Sequence, residues 1–145
     1  MTSLAVIAAT GRTGRLVVER ALAAGHTVTA IARRPGELGL DHPRLVRRAD
    51  AGPVARLFGR VLHHVMRHPY ADMARMEQPL SGIGLTWTAV RPTGLTDRPG
   101  AGRPRVSIGA TERLGARTSR ADLAAFIVDH LGDPRTHHLP VAVSS

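Results

Sequence analysis

Apolar and polar positions alternate between two periods along this chain. Leu4 to Ala9 is an unbroken apolar run, LAVIAA, of strand length, and it predicts a strand buried on both faces. Thr10-Gly11-Arg12-Thr13-Gly14 is a turn, and from Arg15 the period lengthens to that of a helix. Leu16, Val17, Arg20, Ala21 and Ala24 fit a two-faced helix closed by Gly25. His26 to Ala32 is rich in β-branched residues and predicts a second strand, stopped by Arg33-Arg34-Pro35-Gly36. Residues 37–43 read as a loop, and Leu45-Val46 centres a short third strand ending near Asp50. A strand, a helix, a strand, a loop and a strand in this order imply a parallel sheet with a right-handed crossover.

The pattern then changes. Ala51-Gly52-Pro53 leads into a helix from Val54 to about His68, with Val54, Phe58, Val61, Leu62 and Val65 on one side. Arg56, Arg60, His63, His64 and Arg67 occupy the other side. After Pro69, Tyr70 to Leu80 is helical again, with Met73, Met76 and Leu80 spaced for a core. Leu85 to Arg91 alternates as a strand, residues 92–104 form a Gly- and Pro-rich loop, and Pro104 to Ile108 suits a short strand. Ser119-Arg-Ala-Asp122 opens a helix over 120–131 with a box-like cap, and Leu139 to Val143 suits a final edge strand. With 145 residues and no repeat, the chain reads as a single domain over 1–145.

Composition narrows the chemistry. The chain has no cysteine, which excludes disulfides, thiolate metal sites and a cysteine nucleophile. All 20 basic residues are arginine, so no mechanism can use a lysine. A net charge of +9 invites an anionic partner, but the arginines are scattered, no run exceeds two, and aromatic residues make up 3%, too few for a base-stacking platform. Nucleic acid is therefore the least supported partner, and a small molecule the best supported. Gly11-Arg12 ends the first apolar run too early for a signal core or a membrane span, so a cytoplasmic protein is expected, with no membrane partner. His64 and His68 have the i, i+4 spacing of a zinc pair, but no third ligand accompanies them, and a solvated helix face accounts for them.

The sharpest motif is Ala8-Ala9-Thr10-Gly11-Arg12-Thr13-Gly14, placed between a strand and a helix. There Gly11 lets the backbone approach a pyrophosphate and Gly14 lets the helix pack closely on the strand. The helix N-terminus offers free N–H groups and a partial positive charge, Thr10 and Thr13 add hydroxyls, and Arg12 adds a cation. In dinucleotide-binding sheets the end of the second strand meets the adenosine ribose about 20 residues after the glycines. Arg33 follows Gly11 by 22 residues. Arginines there, Arg33 and Arg34, accept a 2′-phosphate, which favours NADP(H) over NAD(H). Thr93, just past a strand at the carboxyl edge where such sheets place sites, is a candidate substrate contact.

On these residues the chain resembles the NmrA-like, atypical short-chain dehydrogenases, the NAD(P)-binding group that includes flavin/biliverdin reductase B. The family's Gly-Ala-Thr-Gly-x-Thr-Gly aligns with Ala8 to Gly14, and its basic residue after strand two with Arg33 or Arg34. Further matching blocks are Tyr70 to Glu77, Gly84 to Pro92, Leu95-Thr-Asp97 and Ser119 to Ala125. The resemblance implies a Rossmann-like parallel α/β sheet with flanking helices, an adenine contact at Asp50, and hydride transfer to a small planar acceptor of flavin or quinone type. Two departures stand out. Ala8 replaces the family's first glycine, which costs around 1 kcal/mol if φ is positive. Two strand-helix units, on the order of 60 residues, are missing after Asp50.

The shortening removes strand four, which in the order 3-2-1-4-5-6 borders strand one. Three repairs are open: strand 85–91 slides in beside strand one, a second copy completes the sheet as a homodimer, or the sequence omits residues that the natural protein has. The Tyr-x-x-x-Lys pair is also absent, since Tyr70 is followed four residues later by Ala74. The alternative function is a cofactor-free remnant of this fold, acting as a binding or sensor module or as a non-redox isomerase or cyclase.

Overall fold

The computed structural model describes residues 1–49, 86–108 and 114–145. Asp50, the helices expected over 54–68 and 70–80, and the His64/His68 pair lie outside the described residues. The first unit is β1 (Ser3–Ile7), α1 (Arg12–Ala23), β2 (Thr27–Ile31) and β3 (Leu45–Arg48), with a 3-10 turn at Pro35–Leu38. The three strands form a parallel sheet in the order β1-β2-β3, with Ser3 opposite Thr27 and Val28 opposite Leu45. The predicted βαβ unit is therefore present. Helix α1 begins at Arg12 rather than Arg15, so the glycine motif runs into its first turn. It ends at Ala23 with Ala24 as C-cap, and Gly25 takes the left-handed conformation (φ 84°) that glycine adopts without penalty.

The second unit contains β4 (Thr88–Pro92), β5 (Gly94–Thr96), β6 (Arg105–Ile108), β7 (Arg117–Ser119), α2 (Arg120–Asp129), a 3-10 turn (Pro134–Thr136) and β8 (Leu139–Ser144). The larger of its sheets has the order β4-β8-β6, with β4 parallel and β6 antiparallel to β8. Strands β5 and β7 form a small parallel pair, with β5 inside the 92–104 stretch read as loop and β7 running into the Ser119 cap. Three-residue strands carry too little pattern to be read locally.

Three expectations are corrected. Strand 85–91 does not slide in beside β1: its observed counterpart β4 pairs with β8. Among the described residues β1 has a strand partner on one side only, β2. Strand β1 is not buried on both faces, since Leu4 and Val6 turn inward while Ala5 and Ile7 are exposed. One-sided cover of this kind gives period-2 burial whatever the side chains are. Finally, β8 is not an edge strand but the centre of its sheet, with Val141 and Val143 fully buried between β4 and β6.

Helix α2 joins the two units. Val128 belongs to the core under β1 and β2 with Val18, Ala21, Leu22 and Val28. Phe126, two residues earlier and so on the other side of the helix, packs on Val141 and Val143. A helix covered on both flanks must be apolar on both, which explains the weak amphipathic pattern of RADLAAFIVD. Helices α1 and α2 pack side by side, and ion pairs joining start to start and end to end mean that they run in the same direction. Arg12 and Arg120, at their starts, both reach Asp97, while Arg20 pairs with Asp129 at the far end at 3.0 Å. No described helix is long and apolar enough to cross a membrane.

Candidate functional site

The site is built where β1 hands over to α1. Strand β1 stops at Ile7 because Ala8 turns left-handed, with φ 58°. Its carbonyl accepts from the Gly11 N–H at 2.9 Å, closing a tight turn, while Ala9 N–H still bonds Ile31 O at 3.2 Å. Ala9 is fully buried and anchors the loop to the core. The conditional cost of Ala8 is thus incurred, because L side chains are strained in this region. Ala8→Gly should stabilise the fold by roughly 0.5–1 kcal/mol, read as a raised midpoint in urea unfolding with an unchanged slope.

Gly14 is required for a different reason. A Cβ there would press on the Ala8 carbonyl oxygen and stand 3.1 Å from the Ala8 carbonyl carbon and 3.2 Å from Ala9 Cα. The helix therefore starts in backbone contact with the end of the strand, as the motif predicts. The N-cap is Gly11, which has no side chain to cap the first-turn amides. Thr10 and Thr13 are half-buried beside this mouth, and Arg12 is exposed.

The electrostatics of the mouth centre on Asp97, whose carboxylate pairs with Arg12 at 2.5 Å and with Arg120 at 2.7 Å. Arg120 is largely buried, while Arg12 and Asp97 are more than half exposed. Exposed ion pairs contribute about 0–1 kcal/mol, so an incoming phosphate can take Arg12 from Asp97 at little cost. Sequence reasoning placed Asp97 only within a matching block and did not identify Arg120. Their signal was absent because the pair is assembled from two segments over 20 residues apart.

The remaining candidates separate. Arg34 is paired with Glu37 at 2.7 Å across one turn. Arg33 is exposed and makes no ion pair with a described residue, so it is the freer of the two to meet a phosphate. Thr93 is tied inward: its hydroxyl lies 2.8 Å from Thr118 Oγ1, which itself donates to Val143 O at 2.7 Å. Since Thr118 spends its proton on that carbonyl, Thr93 is the donor between the two hydroxyls, leaving its lone pairs for other partners. The structure thus brings together Thr10, Gly11, Arg12, Thr13 and Gly14, with Asp97 and Arg120 added, and places Arg33 and Arg34 just past β2. Asp50 lies outside the described residues.

Comparison with known proteins gives the following. Residues 39–134 match a family model described as NAD(P)H-binding. No curated protein matches the chain. Among solved structures, a Rossmann-fold NAD(P)-binding family protein from Shigella flexneri superposes with a TM-score of 0.77 at 17% identity, covering 100% of this chain and 94% of that one. A short-chain dehydrogenase/reductase from Veillonella parvula, solved in complex with NADP, gives 0.72 at 14% identity over 99% and 94% of the two chains. An oxidoreductase from Lactococcus lactis gives 0.72 at 12% identity over 100% and 91%. Such identities establish the fold, a shortened Rossmann-type sheet whose described strands run in the orders β1-β2-β3 and β4-β8-β6.

Proposed function

The chain belongs to the NAD(P)H-binding family, and from that premise we propose that it binds NADP(H) in preference to NAD(H) and passes reducing equivalents to a small planar acceptor of flavin or quinone type. The observation that carries this reading is the entry to α1, where a helix start free of side-chain caps abuts the strand end at Gly14. Backbone N–H groups and the helix dipole there favour a pyrophosphate. Residues that would hold the cofactor are Thr10 to Gly14 for the diphosphate and Arg33 for the 2′-phosphate, with Arg34 released from Glu37 as a second cation. When bound, the cofactor supplies the reducing equivalent from its nicotinamide. The protein's part is to hold and orient, since the chain has no lysine and Tyr70 lacks the partner of the Tyr-x-x-x-Lys pair.

Isothermal titration tests the reading. NADPH is expected to bind more tightly than NADH, with the difference lost in Arg33→Ala. Absence of binding at millimolar NADPH would remove it. A further expectation concerns Asp97, which competes with phosphate for Arg12. Asp97→Asn should tighten NADPH binding several-fold, most visibly at low salt, where the released arginine is least screened. Unchanged affinity would mean that Arg12 does not meet the phosphates.

A second reading, a cofactor-free module, is favoured by one observation: the Arg12–Asp97 pair satisfies the mouth with the protein's own carboxylate. It predicts that neither Ala8→Gly nor Asp97→Asn creates affinity for NADPH.

A further inference from the structure

Arg33, Arg34, Arg47 and Arg48 stand at the carboxyl ends of β2 and β3. Two of them are already neutralised: Arg34 pairs with Glu37 at 2.7 Å and Arg47 with Asp41 at 3.4 Å. Arg33 and Arg48 are exposed, and neither makes an ion pair with a described residue. Strand register brings these two together. In the parallel ladder Arg48 stands opposite Ile31, and Ala32 N–H still bonds Arg48 O at 3.2 Å. Val28 and Ala30 turn into the core under α1, so Ile31 turns to the opposite face of the sheet, and Arg48 shares that face with it. Arg33 is the next position in the row of Thr29 and Ile31. Its Cα is two residues along and one strand across from that of Arg48, about 8 Å away.

Two guanidinium groups at this spacing repel each other, and a phosphate monoester between them removes the repulsion. Its charged oxygens can accept from both forks at once, the geometry in which arginine binds phosphate best. Arg34 must give up Glu37 before it can serve, whereas Arg48 has no ion pair among the described residues to give up. The pattern of the sequence does not show this partnership. Arg48 reads there as the polar end of a short strand, and only the pairing of β3 on β2 sets it beside the position that follows β2.

We propose that Arg48 is a specificity-determining residue of the adenosine end, clamping the 2′-phosphate together with Arg33; the inference rests on the NADP(H) reading above. Calorimetric titration of the full chain with adenosine 2′,5′-bisphosphate and with adenosine 5′-monophosphate probes that end alone. The bisphosphate is expected to bind roughly tenfold more tightly. Arg48→Ala should weaken the bisphosphate by roughly tenfold and leave the monophosphate within about twofold. Arg47→Ala removes the same charge from the adjacent, Asp41-paired position and should shift neither ligand by more than about twofold. In an Arg33→Ala background Arg48→Ala should have little further effect, because the two arginines act as one clamp. The substituted side chains are exposed, and thermal melting of each variant checks that the fold is kept. Four results overturn the proposal: no effect of Arg48→Ala on the bisphosphate, equal weakening of both ligands, equal losses from Arg47→Ala and Arg48→Ala, or losses from Arg33→Ala and Arg48→Ala that simply add. If the wild type shows no preference for the bisphosphate, the NADP(H) reading itself fails and the clamp falls with it. A preference that persists unchanged in Arg48→Ala counts against the clamp alone.

Discussion

Replacing Gly14 with valine should cost about 3 kcal/mol of stability, lowering the thermal midpoint by roughly 10 °C. The new Cβ would meet the Ala8 carbonyl group and Ala9 Cα, which are backbone atoms and not the movable end of a side chain. Ala9 is fully buried, so the strand end cannot retreat without disturbing the core beneath it. The helix must move instead, and with it the amides proposed to receive the diphosphate. NADPH affinity should therefore fall together with stability. Circular dichroism melting and calorimetric titration of the same sample check both. A variant that melts like the wild type would show that α1 does not start in contact with the strand.

Asp122→Ala is expected to destabilise by a comparable amount, about 3 kcal/mol, through loss of charge-assisted hydrogen bonds. This carboxylate is buried, yet it accepts from Ala101 N–H at 2.9 Å, Gly102 N–H at 3.0 Å and the Ser145 hydroxyl at 2.6 Å. It thereby ties the loop before β6 and the end of β8 to the first turn of α2. Burial pushes its carboxyl up, but the hydrogen bonds from Ser145, Ala101 and Gly102, with Ser119, together bring it below the ordinary 3.8. A carboxyl that titrates lower in the folded chain than in the unfolded chain stabilises the fold fully above the unfolded value. That contribution is lost as pH falls through the folded value. The gap in unfolding free energy between wild type and Asp122→Ala should thus be constant near neutrality and begin to close as pH approaches 3.8. A gap that widens on acidification would contradict the hydrogen-bond account.

Asp122 also shows how far local sequence reading carries. The Ser119-x-x-Asp122 spacing predicts a capped helix, and Ser119 Oγ does accept from Asp122 N–H at 3.0 Å. The reciprocal half of the box is different. Ser119 N–H donates to Ser145 Oγ, freeing the Asp122 carboxylate for the distant loop. A short-range motif specified the cap, while a terminal residue 23 positions away redirected the side chain. Likewise the apolar alternation of Leu139 to Val143 identified a strand but could not place it at the centre of its sheet.

What the sequence determined by itself was local: the opening strand, helix and strand, the glycine-bearing turn, the close approach at Gly14, and the starts and stops set by Gly25 and Ser119. These depend on backbone preferences and on side-chain period, which act within a few residues. Only the tertiary structure decided that β4 joins β8 and not β1, that Asp97 links the starts of both helices, and that Ala8 is held left-handed. Each of these depends on partners far apart in the chain. Hydrogen-bond pairing and burial are satisfied by whichever segment packing brings near, and a local pattern carries no record of which segment that is.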